Sequence, residues 1–348
     1  MKVARQPSGD FLSPESNATN PICYDFYMPG LLTHYCFAKH KVKSSSNLVY
    51  VGTQGPDIFF AYGNVPFTKR EYKDRVPLFG NTLHAIDPAV PYYELFKIAR
   101  ESKDREILSE YLDGVLMHYA LDLYVHPYVF YRSGWDADPE KYKKCLLSHN
   151  FFETFLDKAV MTQFCDKTKP HKTMPCSDEE AIAIDKMWME LNKRLSIIPQ
   201  EYIEGSFVTA LKDYRLIHRI LLSKTGIKRG LIGLFLGKQS KAYAYSYPRN
   251  INQFGRNDYM NLGHSQWRIP SDGETRYDSL RNLFDFAYFK YTRLKSIKEK
   301  AMEGEDCLEE FKAETAGYTH NGNNVKDPVM KYFDLAWKDK KKPLDLVL

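Results

Sequence analysis

No CxxC pair occurs in the 348 residues, and the six cysteines, Cys23, Cys36, Cys145, Cys165, Cys176 and Cys307, are scattered. With no secretory context they read as free thiols rather than a disulfide framework. Any run of the ~18 apolar residues that a membrane span requires is missing too. The N-terminus, MKVARQPSGDFLSPESNATNP, lacks the apolar centre of a signal peptide, so a cytoplasmic location is the expectation. Internal repeats and low-complexity blocks are absent, and strand-like alternation is nearly so. Charge of one sign is not dominant either. Lys and Arg total 49 against 44 Asp and Glu, a net +5 that permits phosphate-bearing partners without demanding them.

A core is well provided for. The chain is 43% hydrophobic and 14% aromatic, with 25 Tyr and 21 Phe, which argues against wholesale disorder. Apolar spacing is helical throughout, and the expected fold class is all-α, a single-domain multi-helix bundle. Residues 1–27, rich in Ser, Pro and Asn, read as a flexible extension, 28–337 as the helical domain and 338–348 as a basic tail. Thr33 is a candidate helix cap. Pro56 suits the first turn of a helix, and Ser177 with Glu180 forms a capping box. Residues 63–90, with Gly63, Pro66, Pro77, Gly80 and Pro88, read as irregular, and the last long helix as 276–302 before a short one near 325–337.

The chemistry concentrates in residues 111–130, YLDGVLMHYALDLYVHPYVF, where His118, Asp122 and His126 recur at four-residue steps. Each such step turns ~40° past a full turn and climbs ~6 Å, so the three side chains form one drifting stripe ~12 Å long. Imidazole and carboxylate are zinc ligands, and a carboxylate among Leu, Tyr and Val needs a paired charge or a metal. Two core histidines beside a chance aspartate is the duller alternative. Further along, His149 and Glu153 share a helix face, Asp57 follows the Gly55-Pro56 turn, His84 sits in the 63–90 stretch, and His34 lies near the start of the ordered chain. Each alone has a plain explanation as a surface pair or a turn. Together these are eight nitrogen and oxygen ligands, enough for two zinc ions and part of a third.

The order THY, GPD, a lone His, HYALDLYVHPY and HNFFETFLD resembles the zinc-dependent phospholipase C family. That family includes bacterial phosphatidylcholine-cleaving enzymes and clostridial alpha-toxin, and the fungal zinc single-strand nucleases are similar in fold and metal site. The motifs cover about residues 28–160, with a weaker echo, NLGHSQWRIPSDG, extending to about 302. The resemblance implies a helical bundle and one zinc held by Asp57, His84, His118 and Asp122. It implies a second zinc at His126, His149 and Glu153, and a third at His34 that shares Asp122. It also casts Asp57 as the residue that steers or deprotonates the attacking water.

Two departures stand out. The secreted enzymes complete the third zinc with a mature N-terminal Trp, and no Trp lies near the start here. A substitute such as Asp25 or a backbone carbonyl would be needed. Their last helix histidine also lies two residues beyond the position of His126, which reads as a variant spacing.

The implied activity is hydrolysis of a phospholipid to diacylglycerol and a phosphorylated head group by zinc-activated water. The alternatives are a nuclease or another phosphodiesterase on the same metals, and a protein merely stapled by zinc. GIKRGLIGLFLGK, with Lys228, Arg229, Lys238 and Lys241, could make peripheral membrane contact, but its glycines favour a buried turn-and-helix with solvated flanks. Cys36 reads as a small core residue. His171, His218, His264 and His320 fall outside the constellation, His264 being expected to hydrogen-bond structurally.

Overall fold

A computed structural model of the chain describes residues 30–42, 46–65, 68–134, 139–165, 168–238, 240–248, 258–326 and 329–334. The expected N-terminal extension, Asp25 and the basic tail lie outside the described residues. In chain order come α1 (Leu31–Lys41), α2 (Asn47–Gly52), a 3-10 helix (Gly55–Ala61), α3 (Arg75–Ala85), α4 (Ala89–Glu101), α5 (Arg105–Ser133) and α6 (Pro139–Phe164). A 3-10 turn (Pro170–Lys172), α7 (Asp178–Leu195), α8 (Ser206–Leu221), α9 (Ile227–Phe235) and α10 (Lys241–Ala244) follow. The hairpin β1 (Trp267–Arg268) and β2 (Thr275–Arg276), α11 (Leu280–Glu303) and α12 (Leu308–Thr315) complete the order. The fold is all-α, and this small antiparallel hairpin is the sheet among the described residues.

Helix α5 is the axis. It runs 29 residues, continues through Pro127 and stops on Gly134 in the left-handed conformation. Its middle is buried nearly all round because α1, α2, α4, α6, α7 and α11 all pack on it. The approach of α2 is close enough to bring backbone against backbone. A Cβ on Gly52 would lie 2.0 Å from the Tyr111 carbonyl oxygen, and one on Gly114 2.1 Å from that of Val49. Only two glycines let these backbones touch. On the opposite side, Lys298 and Lys295 of α11 reach Asp113 of α5 at 2.6 and 2.8 Å.

The aromatic excess goes into the core. Trp188, Tyr92, Tyr111, Tyr119, Tyr128 and Phe59 are fully buried in one contiguous apolar cluster, which also takes Cys36. The capping box of Ser177 and Glu180 forms at the start of α7, and Pro56 sits in the first turn of the 3-10 helix.

Four local expectations are corrected. Residues 75–85 are helical rather than irregular: Pro77 falls within the first turn of α3, where backbone N–H groups have no intrahelical partner to lose. Thr33 does not cap α1, which starts at Leu31 behind Gly30; its N–H and hydroxyl instead donate to Asp157 of α6. No helix is present near 325–337 among the described residues. Within the segment 226–238, Ile227–Phe235 form helix α9, and Ile227, Leu231, Leu234 and Phe235 face outward rather than into the core. No helix of the described residues is long and apolar enough to cross a membrane.

Candidate metal centre

Five backbone segments bring the eight ligand-type side chains together. The stripe on α5 supplies His118, Asp122 and His126, and the i,i+4 face of α6 supplies His149 and Glu153. His34 lies in the first turns of α1, fixed there by α6. The buried carboxylate of Asp157 accepts the Leu32 and Thr33 N–H groups at 3.1 and 2.8 Å and the Thr33 hydroxyl at 2.7 Å. It thereby satisfies the free N–H groups of α1 and complements its dipole. Asp57 sits in the 3-10 helix, directly beyond Gly55. Gly55 has φ +47, and a Cβ there would lie 2.3 Å from Cδ2 of His118, so the turn must be glycine to lie against that imidazole. His84 closes the last turn of α3.

Asp122 is the hub. Its Oδ1 lies 3.1 Å from His34 Nε2 and 3.7 Å from His126 Nε2, while its Oδ2 lies 3.0 Å from His118 Nε2 and 4.0 Å from His84 Nε2. Asp57 Oδ1 is 2.8 Å from His84 Nε2. On the α6 side, Glu153 spans His149 Nε2 at 3.1 Å and His126 Nε2 at 3.8 Å. Donor atoms of one tetrahedral zinc stand roughly 3.4 Å apart, given bonds of about 2.0–2.2 Å. The observed spacings scatter about that value. Moreover His84 Nε2, His118 Nε2, Asp122 Oδ2 and Glu153 Oε2 are buried and make no hydrogen bond of acceptable angle. They converge on shared space rather than along one another's N–H axes. His84, His118 and Asp122 form one group able to hold a metal ion, and His34, Asp57 and His118 form another.

The far side of the imidazoles is equally informative. His84 Nδ1 lies 2.8 Å from the Gly80 carbonyl, His118 Nδ1 3.1 Å from that of Thr53, and His126 Nδ1 2.7 Å from that of His320. A carbonyl only accepts, so each Nδ1 carries a proton, and each imidazole in its neutral form presents the Nε2 lone pair to the cluster. That is the outer-shell pattern of metal-ligating histidine. The residues therefore fit a metal.

Charge follows the same logic. Burial pushes the Asp122 carboxyl up, but His118, His126 and His34 outweigh it and hold the group well below the usual carboxylate range. Burial likewise opposes ionisation of Asp57, and His84 overcomes it. His118 is shifted down, first by burial and, among its neighbours, by His34. Two anionic carboxylates beside a neutral imidazole are the protonation states a divalent cation needs.

The structure adds a residue that the motifs missed. His320, expected to lie outside the constellation, is fully buried, with its ring 4.8 Å from that of His84 and 5.5 Å from that of His118. Its Nε2 is 2.7 Å from the Tyr92 hydroxyl, and its carbonyl holds His126. Nothing in spacing could reveal it. The neighbouring Asn321-Gly322 marks a turn and no more. His264, by contrast, is exposed, with Nδ1 3.0 Å from the Tyr277 carbonyl, and His171 and His218 lie away from the cluster.

No family model matches the chain, and neither a curated protein nor a solved structure matches it.

Proposed function

We propose that the chain is a metal-dependent phosphodiester hydrolase of the zinc phospholipase C type, releasing diacylglycerol and a phosphorylated head group from a phospholipid. The observation that carries this reading is the convergence of five imidazoles and three carboxylates, with three of the imidazoles turned inward by backbone carbonyls. A structural staple needs four ligands on one ion; eight linked through one aspartate suit a multinuclear hydrolytic centre. An all-nitrogen-and-oxygen set with this much histidine favours zinc over magnesium or calcium.

Asp57, His84, His118 and Asp122 would hold one ion, and His126, His149 and Glu153 a second. His34 and the shared Asp122 would begin a third site. When bound, such ions lower the pKa of water and neutralise charge growing on phosphoryl oxygens. The chain's own residues do the rest. Asp57 is the most open of the three carboxylates, its side chain 15% exposed against 2% for Asp122 and 4% for Glu153. It is therefore the carboxylate placed to orient an incoming water and take its proton. Phe60 against His84 and Phe130 against His149 line the imidazoles with apolar surface, which limits solvent at the ligands.

The test is metal analysis of the purified protein, with turnover of a soluble choline phosphodiester and of single-stranded DNA. About two or more zinc ions per chain, with turnover of the choline ester alone, is the expected result. Turnover of DNA instead would move the assignment to a nuclease. Bound zinc with neither activity would reduce the centre to a staple.

A further inference from the structure

Helix α9 and Leu236 directly after it carry the largest concentration of exposed apolar side chains among the described residues. Ile227, Leu231, Leu234, Phe235 and Leu236 are 64, 51, 75, 76 and 50% exposed. Ile227, Leu231, Leu234 and Phe235 stand at i, i+4, i+7 and i+8, one face of a helix. Burying such residues is the ordinary outcome, and scattered exceptions need no comment, but a contiguous ridge does.

The ridge is held rigidly. From the opposite face Arg229 turns inward, donating to the Tyr243 and Ser246 carbonyls at 2.7 and 2.5 Å, with its guanidinium 3.8 Å from the Tyr243 ring centre. The same guanidinium lies 5.5 and 5.4 Å from the rings of Phe151 and Phe155 on α6, the helix that bears His149 and Glu153. Lys228 donates to the Arg219 and Leu222 carbonyls, closing the end of α8 against the start of α9. An apolar ridge bolted on by an arginine is a built feature rather than a frayed end.

Its surroundings are basic. Burial and then Lys172, Arg219, Lys169 and Lys228 act on His171, so the 3-10 turn, the end of α8 and the start of α9 share one cationic surface. Lys238 lies exposed beyond the other end of α9, and Lys169, Lys172 and Arg219 are exposed as well.

We propose that α9 is an interfacial anchor that seats the protein on an anionic lipid surface, the ridge entering the acyl boundary and the basic collar meeting the head-group phosphates. A helix of nine residues with this division lies in the interface plane and buries ~5–10 Å deep. A second copy of the chain fits less well, because pairing two such faces sets like charges against each other. The proposal deepens the hydrolase reading and rests on it for what the seated protein does; the surface itself is argued from α9 and its neighbours.

The experiment is flotation of the full chain with vesicles of phosphatidylcholine alone and with vesicles containing phosphatidylglycerol. Wild type is compared with Leu234→Glu and Phe235→Glu, whose exposed positions leave folding intact, as thermal unfolding would verify. Wild type is expected to float with the anionic vesicles and to be released by salt. Each variant should bind about tenfold or more weakly while turning over a soluble phosphodiester as wild type does. Failure of wild type to bind either vesicle, or equal binding by the variants, would overturn the anchor. So would a wild-type dimer that the variants dissolve. Because flotation needs no turnover, vesicle binding by a protein inactive on phosphodiesters would sink the hydrolase reading and leave the anchor standing.

Discussion

His126 donates its Nδ1 hydrogen to the backbone carbonyl of His320, 194 residues further along the chain, at 2.7 Å. The bond makes the orientation of a ligand-type imidazole on α5 depend on a loop that follows α12. His320→Ala keeps the carbonyl but strips the Tyr92 hydroxyl of its buried partner and leaves a gap beside His84 and His118. The expected result is a stability loss of about 2–4 kcal/mol and metal affinity weakened roughly 10–100-fold. Urea unfolding of the metal-free protein and competition with a chelator measure the two separately. Unchanged affinity would show that the loop serves packing alone.

Asp122→Ala removes the carboxylate that approaches four imidazoles, His34, His84, His118 and His126. Loss of both expected ions is the prediction, read by elemental analysis after gel filtration, together with turnover falling to background. A variant that keeps about two ions per chain would remove Asp122 from the hub.

Asp157→Ala frees the Leu32 and Thr33 N–H groups at the start of α1 and should cost about 2–4 kcal/mol by thermal or urea unfolding. Burial pushes this carboxyl up to about 6, with the Thr33 and Leu32 donors pulling it partway back. The ionised form is thus strained by burial, and Asp157→Asn, retaining one acceptor, should lose less than Asp157→Ala. Equal losses would mean that the retained acceptor counts for nothing without the charge.

His218 sets a pH dependence whose sign is fixed. Burial lowers its pKa from 6.5 to about 3, so the folded protein keeps it neutral where the unfolded chain protonates. Its contribution is complete above 6.5 and is lost as pH falls toward 3, at about 1.4 kcal/mol per unit. Between pH 7 and 5 the metal-free wild type should lose about 2 kcal/mol more than His218→Phe, which cannot titrate. Parallel urea midpoints across that range would count against it.

Gly55→Ala places a methyl 2.3 Å from Cδ2 of His118 at a backbone angle, φ +47, that alanine resists. Weaker metal binding is expected beyond the cost in stability, since the displaced groups are Asp57 and His118. Binding as tight as wild type in a correctly folded variant would contradict this.

Much of this was legible beforehand, and the exceptions have physical reasons. The all-α class follows from apolar spacing, and the stripe on α5 from a fixed four-residue step. Ser177 with Glu180 is a local signal, complete within four residues. His84 falls in a stretch that reads as irregular because Pro77 and Gly80 look like helix breakers; position within the first turn, which decides whether a proline breaks anything, is invisible without the helix start. The glycines of α9 suggested burial, whereas exposure is set by which neighbours arrive, and the contact there is spent on Arg229. His320 and Asp157 act through tertiary hydrogen bonds across 194 and 124 residues, distances at which spacing carries no signal.

The contact between Gly52 and Gly114 reaches further than packing. Thr53, whose carbonyl holds His118, follows Gly52 directly, and His118 lies one turn beyond Gly114 on α5. The separation of α2 and α5 therefore also bears on the length of the Thr53–His118 bond. The crossing works as a gauge: two backbones in contact admit no slack, and that zero reading is transferred to the imidazole. A methyl at either glycine would miscalibrate the centre without touching a single ligand.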